Sequence, residues 1–297
     1  MASPPDDGQA PPPAPICFRH PGRQTYVSCV RCGRPACPDC LRPAAVGHQC
    51  VECIKQGNQG VRQATGRFGG TVSATPRVTW TIMGLNIVLY IVLLAHTSLA
   101  NDWAMLGGAV TPNGQVVGVA AGQWYRMITS AFLPGTGALG ILDIAFNLWA
   151  LYIVGPAMER LLGPVRFLAI YLASALGGAL SYYLIAAPNV PALGASGAIF
   201  GLFGAWFVLA RKLHFDWRPV TVVIVLNLVL GFVGSSYIAW QDHLGGLITG
   251  VVLTAAYAYA PRKNRGLIQI AATVAVLALI VGGVVLRDYQ LVHQVIL

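Results

Sequence analysis

The sequence predicts an all-α polytopic membrane protein preceded by a small cysteine-rich domain. Its 19 basic and 10 acidic residues make only 29 of 297 charged, while 56% are hydrophobic. A soluble domain usually devotes about a quarter of its residues to charge. Several charge-free stretches approach the roughly 20 residues that cross a bilayer, and all seven cysteines fall between residues 17 and 53. These observations exclude an ordinary soluble enzyme and a largely disordered chain.

Seven membrane helices are predicted from the apolar stretches. Residues 167–210 lack charge but are twice the length of one span, and Pro188-Asn189-Val190-Pro191 divides them into two helices joined by a turn. The stretch at 138–158 contains one acidic residue, Asp143. The predicted helices cover residues 78–98, 138–158, 165–186, 194–211, 219–237, 240–260 and 266–286.

The basic residues predict the orientation of these helices. From Arg62 onward, eleven of thirteen Lys and Arg residues fall before the first helix or in alternate connections, and only Arg126 and Arg287 fall on the opposite side. Because basic residues are retained in the cytoplasm, the N-terminus is predicted to be cytoplasmic and the C-terminus external. We therefore expect a multi-pass protein of the plasma membrane, whose net charge of +9 largely reflects topology.

Three short segments precede the membrane part. Residues 1–15 are proline-rich and are expected to be disordered. Residues 16–54 form the cysteine-rich domain, and residues 55–77 form a basic linker rich in Gly and Thr that could contact anionic headgroups. Residues 78–260 contain six predicted helices, and residues 261–297 contain the seventh helix and a short external tail.

The cysteines occur in pairs with the spacing of metal ligands. Each pair is separated by two residues, and a histidine completes the first pair, which gives eight donors for two tetrahedral zinc ions. A disulfide framework is not expected, because cytoplasmic thiols stay reduced and seven is an odd number. His48 is a ninth candidate that could replace Cys50 or Cys53, although the regular spacing favours the cysteines. The eight predicted ligands are Cys17, His20, Cys29, Cys32, Cys37, Cys40, Cys50 and Cys53.

This run of pairs, which starts with Cys17-x2-His20, resembles a B-box-type zinc finger. The resemblance implies a cross-braced arrangement, with Cys17, His20, Cys37 and Cys40 on one zinc ion and Cys29, Cys32, Cys50 and Cys53 on the other. We expect a module that binds a cytoplasmic protein. Nucleic acid is not expected as a partner, because five arginines of the segment are interpreted as a solvated face: Arg19, Arg23, Arg31, Arg34 and Arg42.

Few polar side chains are predicted inside the membrane. Each is a functional candidate, because a charge at mid-helix costs roughly 2.5–3.5 kcal/mol. Ser196 and His243 stand near the external starts of the fourth and sixth helices, and Asn147 lies about nine residues into the second. These three side chains could meet in one cavity that opens outward. The other members of this group are Asp143, Asn227 and Asp242.

Ser196 has the surroundings that a nucleophile needs. It lies in Leu193-Gly194-Ala195-Ser196-Gly197-Ala198, where small residues leave room for a substrate backbone and free N–H groups can bind an oxyanion. His243 is the membrane-embedded side chain suited to act as its base near neutral pH. Alternatively, the small residues serve helix packing. Both interpretations can hold together, because close packing would bring Ser196 to His243.

Five segments of the membrane part together resemble the rhomboid intramembrane serine proteases. GASGAIFG at 194–201 resembles the nucleophile motif of that family, and Asp242-His243-Leu244-Gly245-Gly246 resembles its base-bearing helix. Gln123-Trp124-Tyr125-Arg126 resembles a signature of its long external loop. The second helix and the following turn are matched by Phe146-Asn147, by Gly155-x3-Glu159-x3-Gly163 and by Arg166-Phe167. The resemblance covers about residues 78–260.

The resemblance implies a catalytic dyad in a six-helix core, with Ser196 as nucleophile and His243 as general base. It also implies that Asn147 and the Ser196 N–H bind the oxyanion, and that Phe200 stacks on the histidine ring. Rhomboids have no third catalytic acid and need no cofactor for catalysis. Asp242 is therefore expected to be a helix-start residue at the membrane interface.

Asp143 departs from the rhomboid pattern. Family members usually have a histidine four residues before the oxyanion asparagine, and often another where Pro134 stands. An ionised Asp143 would repel the oxyanion. A neutral Asp143 could instead donate a hydrogen bond, or the carboxyl group could pair with His243. The sequence leaves these possibilities open.

The resemblance thus implies an intramembrane serine endopeptidase that cleaves transmembrane segments of other proteins near the outer face. Because a substrate helix must unwind locally, we expect small and helix-weakening residues near the cut. The alternative is a catalytically silent rhomboid-like protein that binds membrane clients, with Asp143 marking lost activity. A transporter is disfavoured, because no inverted repeat or pair of broken helices is evident. The seventh helix lies outside the resemblance and is expected to pack or anchor.

Overall fold

The computed structural model of the protein describes residues 13–59, 65–71, 75–135, 138–234 and 238–296, with side chains except at 138–139 and 292–296. The chain divides into two compact units, Met1–Gln63 and Ala64–Leu297. The cysteine-rich segment and the membrane helices therefore belong to different units. Most of the proline-rich segment predicted to be disordered falls outside the described residues.

The N-terminal unit is built around its cysteines. Strand β1 (Ile16–Cys17) pairs antiparallel with β2 (His20–Gln24), and β3 (Leu41–Pro43) pairs antiparallel with β4 (His48–Cys50). Helix α1 (Val51–Asn58) follows and extends beyond residue 54, the predicted end of this domain. Its small core consists of six buried cysteines and two apolar residues: Cys17, Cys29, Ala36, Cys37, Cys40, Leu41, Cys50 and Cys53.

Each of the seven predicted membrane stretches contains a helix. The helices of the second unit are α2 (Arg77–Ala95), α3 (Leu99–Trp103), α4 (Arg126–Thr129), α5 (Ala138–Leu162), α6 (Pro164–Ile185), α7 (Ser196–Leu213), α8 (Arg218–Val233), α9 (Trp240–Tyr259) and α10 (Arg265–Ile296). By length and hydropathy, α2, α5, α6, α7 and α10 can each cross a membrane. Helix α8 is apolar but shorter than these five helices. Helix α9 is long enough, but Asp242 and His243 lower its mean hydropathy below that of the five. The predicted all-α, multi-pass fold is confirmed.

The long connection between α2 and α5 is structured rather than a simple loop. It contains α3, α4 and a hairpin of β5 (Ala109–Val110) and β6 (Val116–Val117). Arg126 is buried, and its guanidinium group donates to the carbonyl oxygens of Asn101 over 2.7 Å and Ala104 over 3.1 Å. This arginine therefore holds the connection together from within.

Helices α6, α7 and α9 pack closely at the centre of the unit. A Cβ atom at Gly246 would collide with the Gly197 carbonyl oxygen, and one at Gly250 would collide with the Gly201 carbonyl oxygen. The glycines let the backbones of α7 and α9 touch, as small residues do in membrane helix interfaces. This packing brings the start of α7 beside the start of α9.

Glu159 links α5 to the start of α2. Its carboxylate is fully buried and accepts hydrogen bonds from the N–H groups of Val78 over 3.0 Å and Thr79 over 2.8 Å. The Thr79 hydroxyl also donates to it over 2.8 Å. Because the first N–H groups of a helix have no partner within the helix and form its positive end, Glu159 acts as a cap for α2.

Helix α10 is fastened to the other helices by Gln269. This buried side chain accepts a hydrogen bond from Arg166 Nε over 2.7 Å and donates to the carbonyl oxygens of Phe68 and Tyr257 over 3.1 and 3.2 Å. Phe68 is itself buried in the helical core. This part of the predicted linker therefore packs on the helical unit.

Candidate active site

The backbone bends sharply just before Ser196, the first residue of α7. Gly194 has a φ of +147°, which residues with a side chain rarely adopt. Its N–H group donates to the Ser130 carbonyl oxygen over 3.1 Å, which anchors the bend. Ser196 thus lies on a first helical turn, where backbone N–H groups have no partner within the helix.

Ser196 and His243 are hydrogen-bonded, with 2.8 Å between Oγ and Nε2. The imidazole is 7% exposed. It stacks on the Phe200 ring with 4.2 Å between ring centroids and 8° between planes. One turn of α7 therefore supplies both the hydroxyl group at the edge of the imidazole and the ring that supports its face. This geometry allows the imidazole to remove the hydroxyl proton.

The other imidazole nitrogen of His243 has no acidic partner. Across the described residues, the buried Nδ1 atom forms no hydrogen bond. The backbone of α8 comes close at Gly231, where a Cβ atom would lie 3.6 Å from Nδ1. Among the described residues, the pairing of Asp143 with His243 that the sequence left possible is therefore not observed.

Asn147 and Asp143 lie one turn apart on α5 and form a hydrogen-bonded pair. Asn147 Nδ2 donates to Asp143 Oδ1 over 2.9 Å, and the Gly135 N–H donates to Asp143 Oδ2 over 2.9 Å. A Cβ atom at Gly194 would lie 3.3 Å from Ser196 Oγ and 3.8 Å from Asp143 Oδ2. Asp143 Oδ2 therefore lies no more than about 7 Å from Ser196 Oγ, and one N–H of the Asn147 amide remains for another acceptor.

Asp242 points into the helix bundle rather than toward the membrane interface. A Cβ atom at Gly178 or Gly197 would collide with its carboxylate, so these glycines of α6 and α7 form a slot that the side chain fills. Gly197 is the second residue of α7, so this carboxylate lies at the N-terminal end of that helix. The positive end of α7 attracts a carboxylate, which explains why the side chain turns inward.

Asp288 of α10 makes contacts that sequence reasoning missed. It accepts hydrogen bonds from the Tyr183 hydroxyl over 2.5 Å and from the Trp124 indole over 3.1 Å. The seventh helix is thereby joined to the segment that carries Trp124 and Arg126. The partners lie more than 100 residues away along the chain, and the only sequence signal was an acidic residue at the end of an apolar helix.

The cysteines and His20 form two clusters that could hold metal ions. Cys17, His20, Cys37 and Cys40 form one, and Cys29, Cys32, Cys50 and Cys53 form the other, with the donor atoms of each within 4.8 Å of one another. His20 Nδ1 lies 3.3–3.7 Å from the three sulfur atoms of its cluster. Bonds of about 2.0–2.3 Å to a tetrahedral zinc ion would separate its ligands by roughly 3.5–3.8 Å, so the donors fit. His48 belongs to neither cluster.

All seven cysteines are free thiols. Burial acts to raise the pKa of Cys17, but backbone hydrogen bonds from Cys37 and Arg19 and the His20 side chain outweigh burial and lower the pKa to about 6. In the same cluster, burial and the neighbouring thiols raise the pKa of Cys40 to about 11. A divalent cation bound by all four donors would favour the thiolate form of each cysteine.

Comparison with known proteins identifies the family. A model of the rhomboid domain matches residues 121–260. "Rhomboid protease GluP" of Bacillus subtilis (strain 168) is 34% identical over 186 residues, which are 61% of this chain and 35% of GluP. "Putative rhomboid protease YdcA" of the same organism is 33% identical over 195 residues, which are 64% of this chain and 92% of YdcA. "Rhomboid protease AarA" of Providencia stuartii is 30% identical over 173 residues, 48% of this chain and 59% of AarA.

The match to YdcA covers nearly the whole of that protein, whereas the chain spans about a third of GluP. The region matched by the domain model includes α5 to α9, the helices that carry the Ser196–His243 pair and the Asn147–Asp143 pair. Sequence, fold and comparisons agree that this multi-pass membrane protein belongs to the rhomboid family.

Proposed function

We propose that the protein is an intramembrane serine endopeptidase that uses a Ser196–His243 dyad. The observation that carries this proposal is the 2.8 Å hydrogen bond between Ser196 Oγ and His243 Nε2 inside a helical membrane bundle. Relatives named as rhomboid proteases support the same chemistry.

In the proposed reaction, His243 Nε2 accepts the Ser196 hydroxyl proton while Oγ attacks the carbonyl carbon of the scissile peptide bond. The carbonyl oxygen becomes an oxyanion, to which the Asn147 side chain and the Ser196 N–H donate. The protonated His243 then transfers its proton to the leaving amine, and an acyl group remains on Ser196. Water, deprotonated by His243, attacks this ester, releases the carboxylic acid product and restores the serine hydroxyl.

Packing orients the His243 base, which is the role that a third catalytic acid would otherwise have. Since Nδ1 of His243 has no partner in the described part of the chain, the ring is held by the stacked Phe200 on one face and by the close backbone at Gly231. The proposed catalysis needs no metal or other cofactor.

The proposed substrates are transmembrane segments of other proteins within the bilayer. A peptide bond in a helix is shielded by helical packing and backbone hydrogen bonds, so the segment must unwind before Ser196 can reach it. Small and helix-weakening residues near the outer end of the segment would lower the cost of this unwinding.

A second candidate function is that of a catalytically silent rhomboid-like protein that binds membrane clients. The hydrogen bond from Asn147 to Asp143 favours it. A carboxylate at this position repels a developing oxyanion and uses one N–H of the proposed donor. The intact hydrogen bond between Ser196 and His243 favours the protease.

For the N-terminal unit we propose a zinc finger with two structural zinc ions and a cytoplasmic protein partner. The two clusters of four donors support the metal sites. Arg34 pairs with Glu52 over 2.7 Å, and Arg23 pairs with Asp39. These ion pairs reduce the positive charge free for nucleic acid. The proposed location is the plasma membrane with a cytoplasmic N-terminus, as the distribution of basic residues predicts.

Cleavage of a single-span reporter by the full chain in proteoliposomes tests the proposed function. The reporter carries small and helix-weakening residues at the outer end of its span. We expect the wild type and the control Ser181→Ala to cleave it, and Ser196→Ala and His243→Ala to leave it intact. Equal cleavage by the wild type and Ser196→Ala would contradict the proposal. A reporter that binds the wild type but stays uncut would favour the client-binding protein.

A further inference from the structure

We propose that Asp242 is a positioning residue that sets the register of the nucleophile helix α7 against the base-bearing helix α9. This inference rests on the proposed protease function. Asp242 directly precedes His243, and Gly197 directly follows Ser196. The contact between Asp242 and Gly197 therefore joins the two helices immediately beside the two proposed catalytic residues.

The slot around Asp242 is lined by the backbone at Gly178 and Gly197, each of which carries a hydrogen atom in place of a side chain. The three atoms nearest to a Cβ atom placed at Gly197 would all belong to the Asp242 side chain, namely both carboxylate oxygens and Cγ. A Cβ atom at Gly178 would collide with Oδ1 and would also lie 2.8 Å from the Asp242 main-chain oxygen. Glycine at both positions is thus required for this carboxylate to enter between α6 and α7.

The Asp242 slot acts in addition to the glycine contacts. The backbones of α7 and α9 touch at Gly197, Gly201, Gly246 and Gly250, and the slot adds a polar side chain at the end of this interface that lies beside Ser196. A carboxylate held between Gly178 of α6 and Gly197 of α7 opposes sliding of α9 along the helix axis and so favours one axial position. That position places Ser196 Oγ 2.8 Å from His243 Nε2.

Two observations separate this role from that of a third catalytic acid. Asp242 is occupied by the α6–α7 slot, and Nδ1 of His243 forms no hydrogen bond in the described part of the chain. An acid of a Ser-His-Asp triad would accept a hydrogen bond from that nitrogen. Asp242 therefore acts on His243 and Ser196 through the placement of their helices.

The rate of Ser196 labelling by a serine-reactive phosphonate tests this role in the full chain. The maximal labelling rate reports the reactivity of the dyad, and the half-saturating concentration reports binding. Because a misplacement of about 1 Å can cost about 100-fold, Asp242→Ala should lower the maximal rate about 100-fold without changing half-saturation. Asp242→Asn keeps an acceptor oxygen of the same shape and should label within about threefold of the wild type.

A double-mutant cycle separates register from general damage to the fold. Gly197→Ala should slow labelling when Asp242 is present. It should slow labelling little further in Asp242→Ala, because the carboxylate with which the new Cβ atom collides is then absent. Gly178→Ala is the matched control. This substitution should slow labelling both with Asp242 and with Asp242→Ala, since its Cβ atom also approaches the main-chain oxygen of residue 242.

Labelling of Asp242→Ala at the wild-type rate would overturn this inference. It is also overturned if Asp242→Asn loses as much as Asp242→Ala, which would assign the effect to charge, or if Gly197→Ala causes the same loss in both backgrounds. Failure of the proposed function gives a different result, because the wild type itself would then not be labelled at Ser196.

Discussion

Asn147 donates a hydrogen bond to Asp143 over 2.9 Å, so the proposed oxyanion donor is held by a carboxylate whose Oδ2 lies no more than about 7 Å from Ser196 Oγ. The second carboxylate oxygen accepts from the Gly135 N–H and ties α5 to the preceding loop. The hydrogen bond orients the Asn147 amide, while negative charge at this place would oppose the oxyanion. Asp143 thus orients the proposed oxyanion donor, and an ionised Asp143 would oppose the charge that this donor is proposed to stabilise.

Replacement of Asp143 by histidine tests which of these effects is larger. We expect Asp143→His to preserve or raise the rate of reporter cleavage, because an imidazole can contact Asn147 without a negative charge. Asn147→Ala should lower kcat about 100-fold, as loss of one oxyanion donor does. Cleavage in proteoliposomes measures both. Loss of cleavage in Asp143→His, with an active wild type, would mean that the carboxylate itself is required.

Replacement of Glu159 tests the cap on α2. Glu159→Ala leaves the N–H groups of the half-buried Val78 and the buried Thr79 without their acceptor, and we expect the free energy of unfolding to fall by about 2–3 kcal/mol. Unfolding in detergent measures the change. Asp216→Ala is the control, since Asp216 accepts from the exposed Arg218 N–H and should cost less than about 1 kcal/mol. Equal losses in both variants would contradict the role of Glu159.

Metal content tests the two clusters of the N-terminal unit. Elemental analysis of the full chain should give two zinc ions per molecule, one in Cys40→Ser and one in Cys53→Ser. His48→Ala should keep both ions, because His48 lies outside the clusters. Removal of zinc by a chelator should make the segment around α1 sensitive to protease, since metal binding supplies folding free energy in such small domains. A zinc content unaffected by either cysteine variant would contradict the assignment.

Cysteine labelling in intact cells tests the topology. A membrane-impermeant maleimide should label Asn113→Cys, in the turn between β5 and β6, and should not label Asn264→Cys, just before α10. Permeabilised cells provide the control, because both sites should then react. The opposite pattern in intact cells would reverse the proposed orientation.

The helices were predictable because hydrocarbon excludes charge. Runs with little or no charge predicted the seven apolar stretches, five of which are helices long and apolar enough to cross a membrane. The largest difference is at α10, which continues to Ile296 rather than ending near residue 286. Its last turns contain Arg287 and Asp288, which a search for charge-free runs must exclude. Asp288 is retained in the helix because Tyr183 and Trp124 satisfy its carboxylate.

The candidate site was only partly predictable. Ser196 and His243 stood out as rare polar residues next to small ones, and the resemblance suggested the stacking of Phe200. The cap by Glu159 on α2 and the slot of Asp242 depend on partners in other helices, which no local pattern announces. The position of Asp242 at the start of a helix predicts a place at the interface, because the sequence does not show that Gly178 and Gly197 of other helices form a slot for its side chain.

In the proposed mechanism, His243 activates Ser196. Phosphonate labelling of the full chain, with the adduct located by mass spectrometry, tests this step. We expect an adduct on Ser196 in the wild type and in Ser181→Ala, none in Ser196→Ala, and labelling of His243→Ala slowed by at least about 1,000-fold. Equal labelling of the wild type, Ser196→Ala and His243→Ala would contradict it.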